Sequence, residues 1–200
     1  MQDQALQSTP LSDKQRTILE AAFGAFSQYG IRRTSMEDIA RGANMSRAAL
    51  YLHYRNKEDI YRSMTMAYYD EVAGSVAEAL RAGGPADQAL VRAFAAQTGE
   101  VMRIFLESPH ADELMDAKHS QASDIIEAGE QRLAEVYGAW LAEEERARRV
   151  NLTRVGGDVD RFSCMMMAAL HGQKLPRPSY DDYCATVRML ALTFGRAIMV

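Results

Sequence analysis

Apolar residues recur along this chain three and four positions apart, and the strict alternation of a half-buried strand is almost absent. Ile18, Ala22, Ala25, Phe26 and Tyr29 line one face of a first segment, and Gly30 follows where a C-terminal cap would sit. The spacing predicts a helix from about Asp13 to Tyr29. In Thr34-Ser35-Met36-Glu37-Asp38 either hydroxyl residue has an acid three positions on, as a capping box needs, so a short helix from Met36 to Gly42 is expected next. Asn44 tolerates the left-handed backbone of a tight turn, and Ser46 can cap a third helix that ends near Tyr54. A fourth helix, capped at Asn56, carries Ile60, Met64, Tyr68 and Val72 in a ladder until Gly83-Gly84-Pro85 stops it.

Beyond that boundary, Ala86 to Glu107 reads as one helix broken by Ser108-Pro109, with a short helix over His110 to Asp116. A long helix from about His119 to Arg149 follows, with Gly129 and Gly138 weakening its continuity. Gly156-Gly157 separates it from Asp158 to Gln173, and Pro176 and Pro178 introduce the last helix. The fold expected is all-α, about nine helices: a flexible tail over 1–12, a three-helix segment over 13–60, and a larger helical body over 61–200.

Composition bounds the function. Apolar residues make up 48% of 200 residues, enough for a core without staples, and Cys164 and Cys184 have no spacing for zinc or a redox pair. The polar amino terminus and the lack of an 18-residue apolar run predict a soluble cytoplasmic protein. The net charge of −4 argues against nucleic acid, but it is unevenly spread. Residues 13–62 carry nine Lys and Arg against six Asp and Glu, whereas 63–200 carry 14 against 20. Because salt screens charge beyond roughly 8 to 10 Å, the local balance governs phosphate contact.

Two short helices joined by about three residues, over 36–54, match helix-turn-helix geometry, in which the second helix enters the major groove. Ile39 and Ala40 can pack on Leu50 and Tyr54, leaving Arg47, Ala48, Tyr51 and His53 outward. The Arg47 guanidinium can bridge guanine O6 and N7, while the small and aromatic groups suit thymine methyls or phosphates. Helix amino termini at Ser35 and Asn56, flanked by Thr34 and Lys57, suit backbone phosphates. An ordinary helical hairpin with solvated charges accounts for the same spacing.

From Arg16 to Tyr61 the chain resembles the DNA-binding domain of the TetR family, on the first-helix pattern, the Thr34-Ser35 entry, Ile39-Ala40, the Ser46 cap, Leu50-Tyr51, His53-Tyr54 and Asn56-Lys57-Glu58. The resemblance covers about a quarter of the chain. It implies a homodimer on a palindromic operator, usually a repressor released by a small molecule, with Ser46, Tyr51, His53 and Lys57 touching phosphate or base edges. Asn44 stands where the family often has Gly, and Ala49 replaces a frequent Thr.

The last two helices carry wide apolar stripes, Phe162, Met165, Met166, Ala169 and Leu170 on one and Tyr183, Cys184, Val187, Leu190, Ala191, Phe194 and Ile198 on the other. They are expected to form a dimeric four-helix bundle, which agrees with the resemblance and sets the reading helices about 34 to 36 Å apart. The resemblance also adds an effector pocket, with Tyr68, Met102, Phe105, Tyr137, Trp140 and Met166 as candidate lining for an apolar or aromatic ligand, although ordinary core packing explains the same residues. Ligand binding would shift the fourth helix and so the reading heads.

Two rival readings stay open. His110, Asp112, Asp116 and His119 could hold a metal in a helical enzyme, but they flank a proline-broken stretch where a solvated turn is simpler, and His53 and His171 are distant in sequence. The Ala48-Ala49 pair also fits a dimeric interaction module whose helix-turn-helix no longer binds DNA. No nucleophile elbow, phosphate-binding loop or dinucleotide fingerprint appears, so no cofactor and no enzymatic activity are expected.

Overall fold

The computed structural model of the protein describes residues 11–115 and 122–200. Residues 1–10 of the expected tail, and Asp116 and His119 of the metal reading, lie outside the described residues. The described residues form α1 (Asp13–Tyr29), α2 (Met36–Gly42), α3 (Arg47–Tyr51), α4 (Lys57–Arg81), α5 (Ala86–Thr98), α6 (Glu100–Glu107), α7 (Ala111–Met115), α8 (Ser123–Arg146), α9 (Val159–Gly172) and α10 (Tyr180–Ile198). A single bridge between Val150 and Met199 is the only sheet-like pairing among them.

Three boundaries differ from the sequence reading. The segment expected as one helix over Ala86–Glu107 breaks at Gly99, whose φ of −19° and ψ of −170° end α5 before α6 begins, which gives ten helices among the described residues. The third helix stops at Tyr51, and Leu52 and His53 form a turn before Tyr54. The long helix ends at Arg146, and Arg148 turns left-handed at φ 58°. Gly129 and Gly138 are both buried inside an unbroken α8. At Gly138 a Cβ would lie 3.6 Å from the Ser163 hydroxyl, an ordinary van der Waals contact, so α8 passes α9 there without requiring glycine.

The residues divide into two compact units. The first comprises the described residues up to Asp70 with those between Ser108 and Ile126, and so takes in more than the 13–60 segment. Its core is Ile18, Ala22 and Phe26 of α1, Ile39 and Ala40 of α2, Leu50 of α3, and Ile60 and Tyr61 of α4. Phe26 meets Tyr61 edge to face at 6.2 Å between ring centroids.

The second unit comprises Glu71–Glu107 and Glu127–Val200. Phe94 of α5 sits fully buried, edge-on to Tyr137 of α8 at 5.7 Å and to Phe194 of α10 at 6.4 Å. The Tyr137 hydroxyl, itself buried, donates to Gln97 Oε1 at 3.0 Å, which satisfies the phenol inside the core. Gly195 is where α10 crosses the start of α5: a Cβ there would stand 2.2 Å from the Asp87 Cα, so only glycine allows the crossing.

Candidate nucleic-acid interface

The first unit is assembled from caps that the local sequence supplies. Ser12 and Gln15 form a capping box that starts α1, and Gly30 closes it at φ 81°, its N–H donating to the Phe26 carbonyl. A second box joins Ser35 to Asp38 at the start of α2, where the Ser35 hydroxyl accepts from the Asp38 N–H at 3.2 Å and donates to the Asp38 carboxylate. That hydroxyl, with the Ser35 N–H and the Arg41 guanidinium, holds the Asp38 carboxyl below its ordinary range. Asn44 takes the left-handed turn at φ 52°, and Ser46 caps α3 by accepting from the Ala49 N–H at 3.1 Å. Asn56 Oδ1 accepts from the Asp59 N–H at 2.7 Å and caps α4.

These turns set α3 with one face locked and the other open. Leu50 and Tyr54 are buried, and the Tyr54 hydroxyl lies 3.0 Å from Ser63 Oγ. Arg47, Ala48, Tyr51 and His53 are exposed, as is Ser46. The structure thus brings six of the eight predicted contact residues, Ser35, Ser46, Arg47, Ala48, Tyr51 and His53, to the surface of the helix-turn-helix or its first cap.

Thr34 and Lys57 are turned inward, which corrects the expectation that they stand beside phosphates. Thr34 is 2% exposed and its hydroxyl donates to the Gly30 carbonyl at 2.8 Å. Lys57 Nζ donates to the carbonyls of Ile31 at 2.7 Å, Arg32 at 3.0 Å and Thr34 at 3.0 Å. An ammonium has three N–H donors, and all three are used on the α1–α2 loop. The loop is clamped from another side by Glu113 of α7, whose carboxylate accepts from the Arg32 N–H at 2.8 Å.

Residues that the sequence reading passed over are also exposed here. Leu52 is 85% exposed, because α3 stops one residue before it and leaves it on the turn. Arg33, in the α1–α2 loop, and Arg55, just before α4, are exposed as well and carry positive charge. Their signal was the excess of basic residues over 13–62.

The other predicted sites fare differently. Of the candidate pocket residues in the second unit, Met102, Tyr137 and Met166 are buried, and Phe105 and Trp140 are half-buried. Tyr68 belongs to the first unit, half-buried and edge-on to Tyr69 at 5.2 Å. Of the stripe assigned to dimerisation, Phe162, Met166, Tyr183, Val187, Ala191 and Ile198 are buried within the chain itself, and Ala169, Leu190 and Phe194 are half-buried. Met165 at 48% and Met189 at 62% are the large apolar side chains left open on α9 and α10. His110 lies against Gly30, and no group of three or more His, Cys, Asp or Glu among the described residues has an arrangement that could hold a metal ion. No helix among them is long and apolar enough to cross a membrane.

Residues 18–64 match the family model of bacterial regulatory proteins of the tetR family. The chain is similar to a probable acrEF/envCD operon repressor of Escherichia coli, 38% identical over 47 residues that cover 24% of this chain and 21% of that one. It is also similar to a probable HTH-type transcriptional regulator of Pseudomonas putida, ArpR, at 28% identity over 160 residues covering 78% of this chain and 75% of that one. The relatives matched chiefly at the helix-turn-helix are spanned over less than half of their length. In fold, the chain superposes on a transcriptional regulator from Cytophaga hutchinsonii with a TM-score of 0.77 at 18% identity, covering 94% of this chain and 100% of that one. A helix-turn-helix capped and packed as described, at the residues the family model matches, identifies 18–64 as a DNA-binding domain of the tetR-family type, and the fold of the chain is that of the solved regulator.

Proposed function

We propose that the protein acts as a homodimer that binds a palindromic operator as a repressor in the cytoplasm and is released by a small apolar or aromatic effector. The observation that carries this reading is the division of α3. Leu50 is fully buried, while Arg47, Ala48 and Tyr51 stand exposed on a helix whose amino end is capped by Ser46. In this reading Arg47 reads a guanine, Ala48 admits a thymine methyl, and Ser46, Tyr51 and His53 meet backbone or base edges, with Ser35 at the amino end of α2. Leu52, Arg33 and Arg55 extend the contact to neighbouring sugars and phosphates.

Dimerisation is assigned to the open apolar edge of α9 and α10, around Met165 and Met189 with half-buried Ala169, Leu190 and Phe194, and the buried part of each stripe holds the subunit's own core. A twofold axis there makes the operator an inverted repeat. The effector is assigned to the second unit, among Met102, Phe105, Tyr137, Trp140 and Met166. The helix α4, which starts in the first unit and ends in the second, is the continuous element by which a ligand would favour a form of lower operator affinity. The repressor relative supports the sign of regulation.

Equilibrium binding to a duplex selected from a randomised pool, compared with a scrambled duplex at two salt concentrations, tests the function. The reading expects a preference of about 10³-fold or more for the selected duplex and a steep fall of affinity with salt. Equal affinity for the two duplexes leaves the operator-binding reading without support.

A further inference from the structure

The exposed face of α3 carries a pair that its family resemblance does not explain. Arg47 and Tyr51 are one helical turn apart, both on the open surface, with Tyr51 43% exposed. The Arg47 guanidinium carbon lies 5.4 Å from the Tyr51 ring centroid, and Nη2 donates to the Tyr51 hydroxyl at 3.2 Å. One side of the guanidinium is therefore engaged by a ring face and one of its N–H groups by a hydroxyl.

We infer that Tyr51 is a positioning residue for base recognition: it holds the Arg47 guanidinium in one orientation, so that the remaining N–H groups meet a guanine edge. This rests on the reading of Arg47 as the base contact and assigns Tyr51 a role through Arg47 in addition to its own contact with DNA.

The donor arithmetic allows it. A guanidinium has five N–H donors, one goes to Tyr51, and a bidentate bridge to guanine O6 and N7 needs two. An exposed arginine otherwise samples many rotamers, and ordering it on binding costs conformational entropy that a pre-formed contact reduces. Tyr51, anchored on the rigid helix with only two side-chain torsions, is well suited to impose that order. The contacts with Tyr51, and then the charge of Glu37 on α2, both favour the charged form of Arg47.

The test uses the full chain and two duplexes: the selected operator, and the same operator with the guanine read by Arg47 changed to adenine in each half-site. The readout is the ratio of the two affinities per half-site. Arg47→Ala should lower that ratio by about 5- to 150-fold, the discrimination of a bidentate arginine–guanine pair. Tyr51→Phe keeps the ring and deletes the hydroxyl, and should lower the ratio by about 3- to 10-fold, weakening binding to the guanine duplex more than to the adenine duplex. In an Arg47→Ala background, Tyr51→Phe should leave the ratio where it was.

Equal weakening of both duplexes by Tyr51→Phe would show the hydroxyl acting on phosphate alone and overturn the inference, as would no change in either. A ratio that still responds in the Arg47→Ala background would also overturn it. If Arg47→Ala itself changes the ratio at no position, the base-reading role of Arg47 is what fails, an outcome distinct from failure of Tyr51 alone. Both side chains project into solvent, so an unchanged melting temperature of each variant confirms that recognition, and not folding, is being measured.

Discussion

Lys57 at the start of α4 donates to the carbonyl of Thr34, 23 residues earlier, at 3.0 Å. The same nitrogen holds two further carbonyls of the α1–α2 loop, and Thr34 closes that loop by donating to Gly30. The loop sets where α2 leaves α1, so this lysine holds the shape of the helix-turn-helix. Lys57→Met should destabilise the first unit by about 2–4 kcal/mol, since it leaves three loop carbonyls, two of them in part-buried contacts, without their charged donor. Urea unfolding checks this. A lysine that served phosphate alone would leave stability unchanged and lower the salt dependence of binding by about one phosphate contact.

Gly30 is restricted twice, by its φ of 81° and by Glu113, whose Oε2 would lie 2.6 Å from a Cβ. Gly30→Ala should cost about 1–3 kcal/mol. Adding Glu113→Ala removes the clash but not the backbone strain, so the double variant should be more stable than the sum of the two single losses predicts. Thermal unfolding of the four proteins measures this coupling, and strict additivity would deny the contact.

Arg62 of α4 and Asp124 of α8 form a two-pronged ion pair within the first unit, with both N–H···O distances 2.7 Å. The Arg62 guanidinium holds the Asp124 carboxyl down to about 2. A depressed folded-state value stabilises above the ordinary aspartate range and is lost as pH falls towards about 2. The stability difference between the wild-type protein and Asp124→Asn should therefore be constant from pH 7 to 5 and shrink between pH 4 and 2. The pair is solvent-exposed, so the difference should also shrink with added salt. Unfolding curves at several pH values and two salt concentrations check both.

Met165 and Met189 offer open apolar surface on α9 and α10, so lysine at both positions should leave the subunit folded and shift dimer to monomer. Sedimentation velocity reads the result. An unchanged oligomeric state in Met165→Lys/Met189→Lys would move the interface elsewhere.

The same residues explain what could be read from the sequence and what could not. The end of α1 and the start of α2 were legible because their caps are local: Gly30, and Ser35 with Asp38, act within one turn of chain, whereas the Ser12–Gln15 box was not read. The outward face of α3 was legible from its spacing against Leu50 and Tyr54. The inward turn of Lys57 was not, because its partners lie 23 to 26 residues away and depend on how α4 meets the α1–α2 loop. The break at Gly99 was missed because one glycine within an apolar repeat is compatible with a continuous helix. The stripes of α9 and α10 were legible as apolar, but periodicity does not say whether a stripe faces its own subunit or another. Phe162, Val187 and Ala191 face their own subunit.

The central claim, that α3 reads bases in the major groove through Arg47, is tested most directly by methylation interference on the selected operator. Methyl groups on guanine N7 project into the major groove at the atom that an arginine bridge uses. The account predicts interference at one symmetric pair of guanines, one in each half-site, for the wild-type protein, and its loss for Arg47→Ala. Wild-type binding indifferent to N7 methylation, or an identical interference pattern with Arg47→Ala, would contradict it.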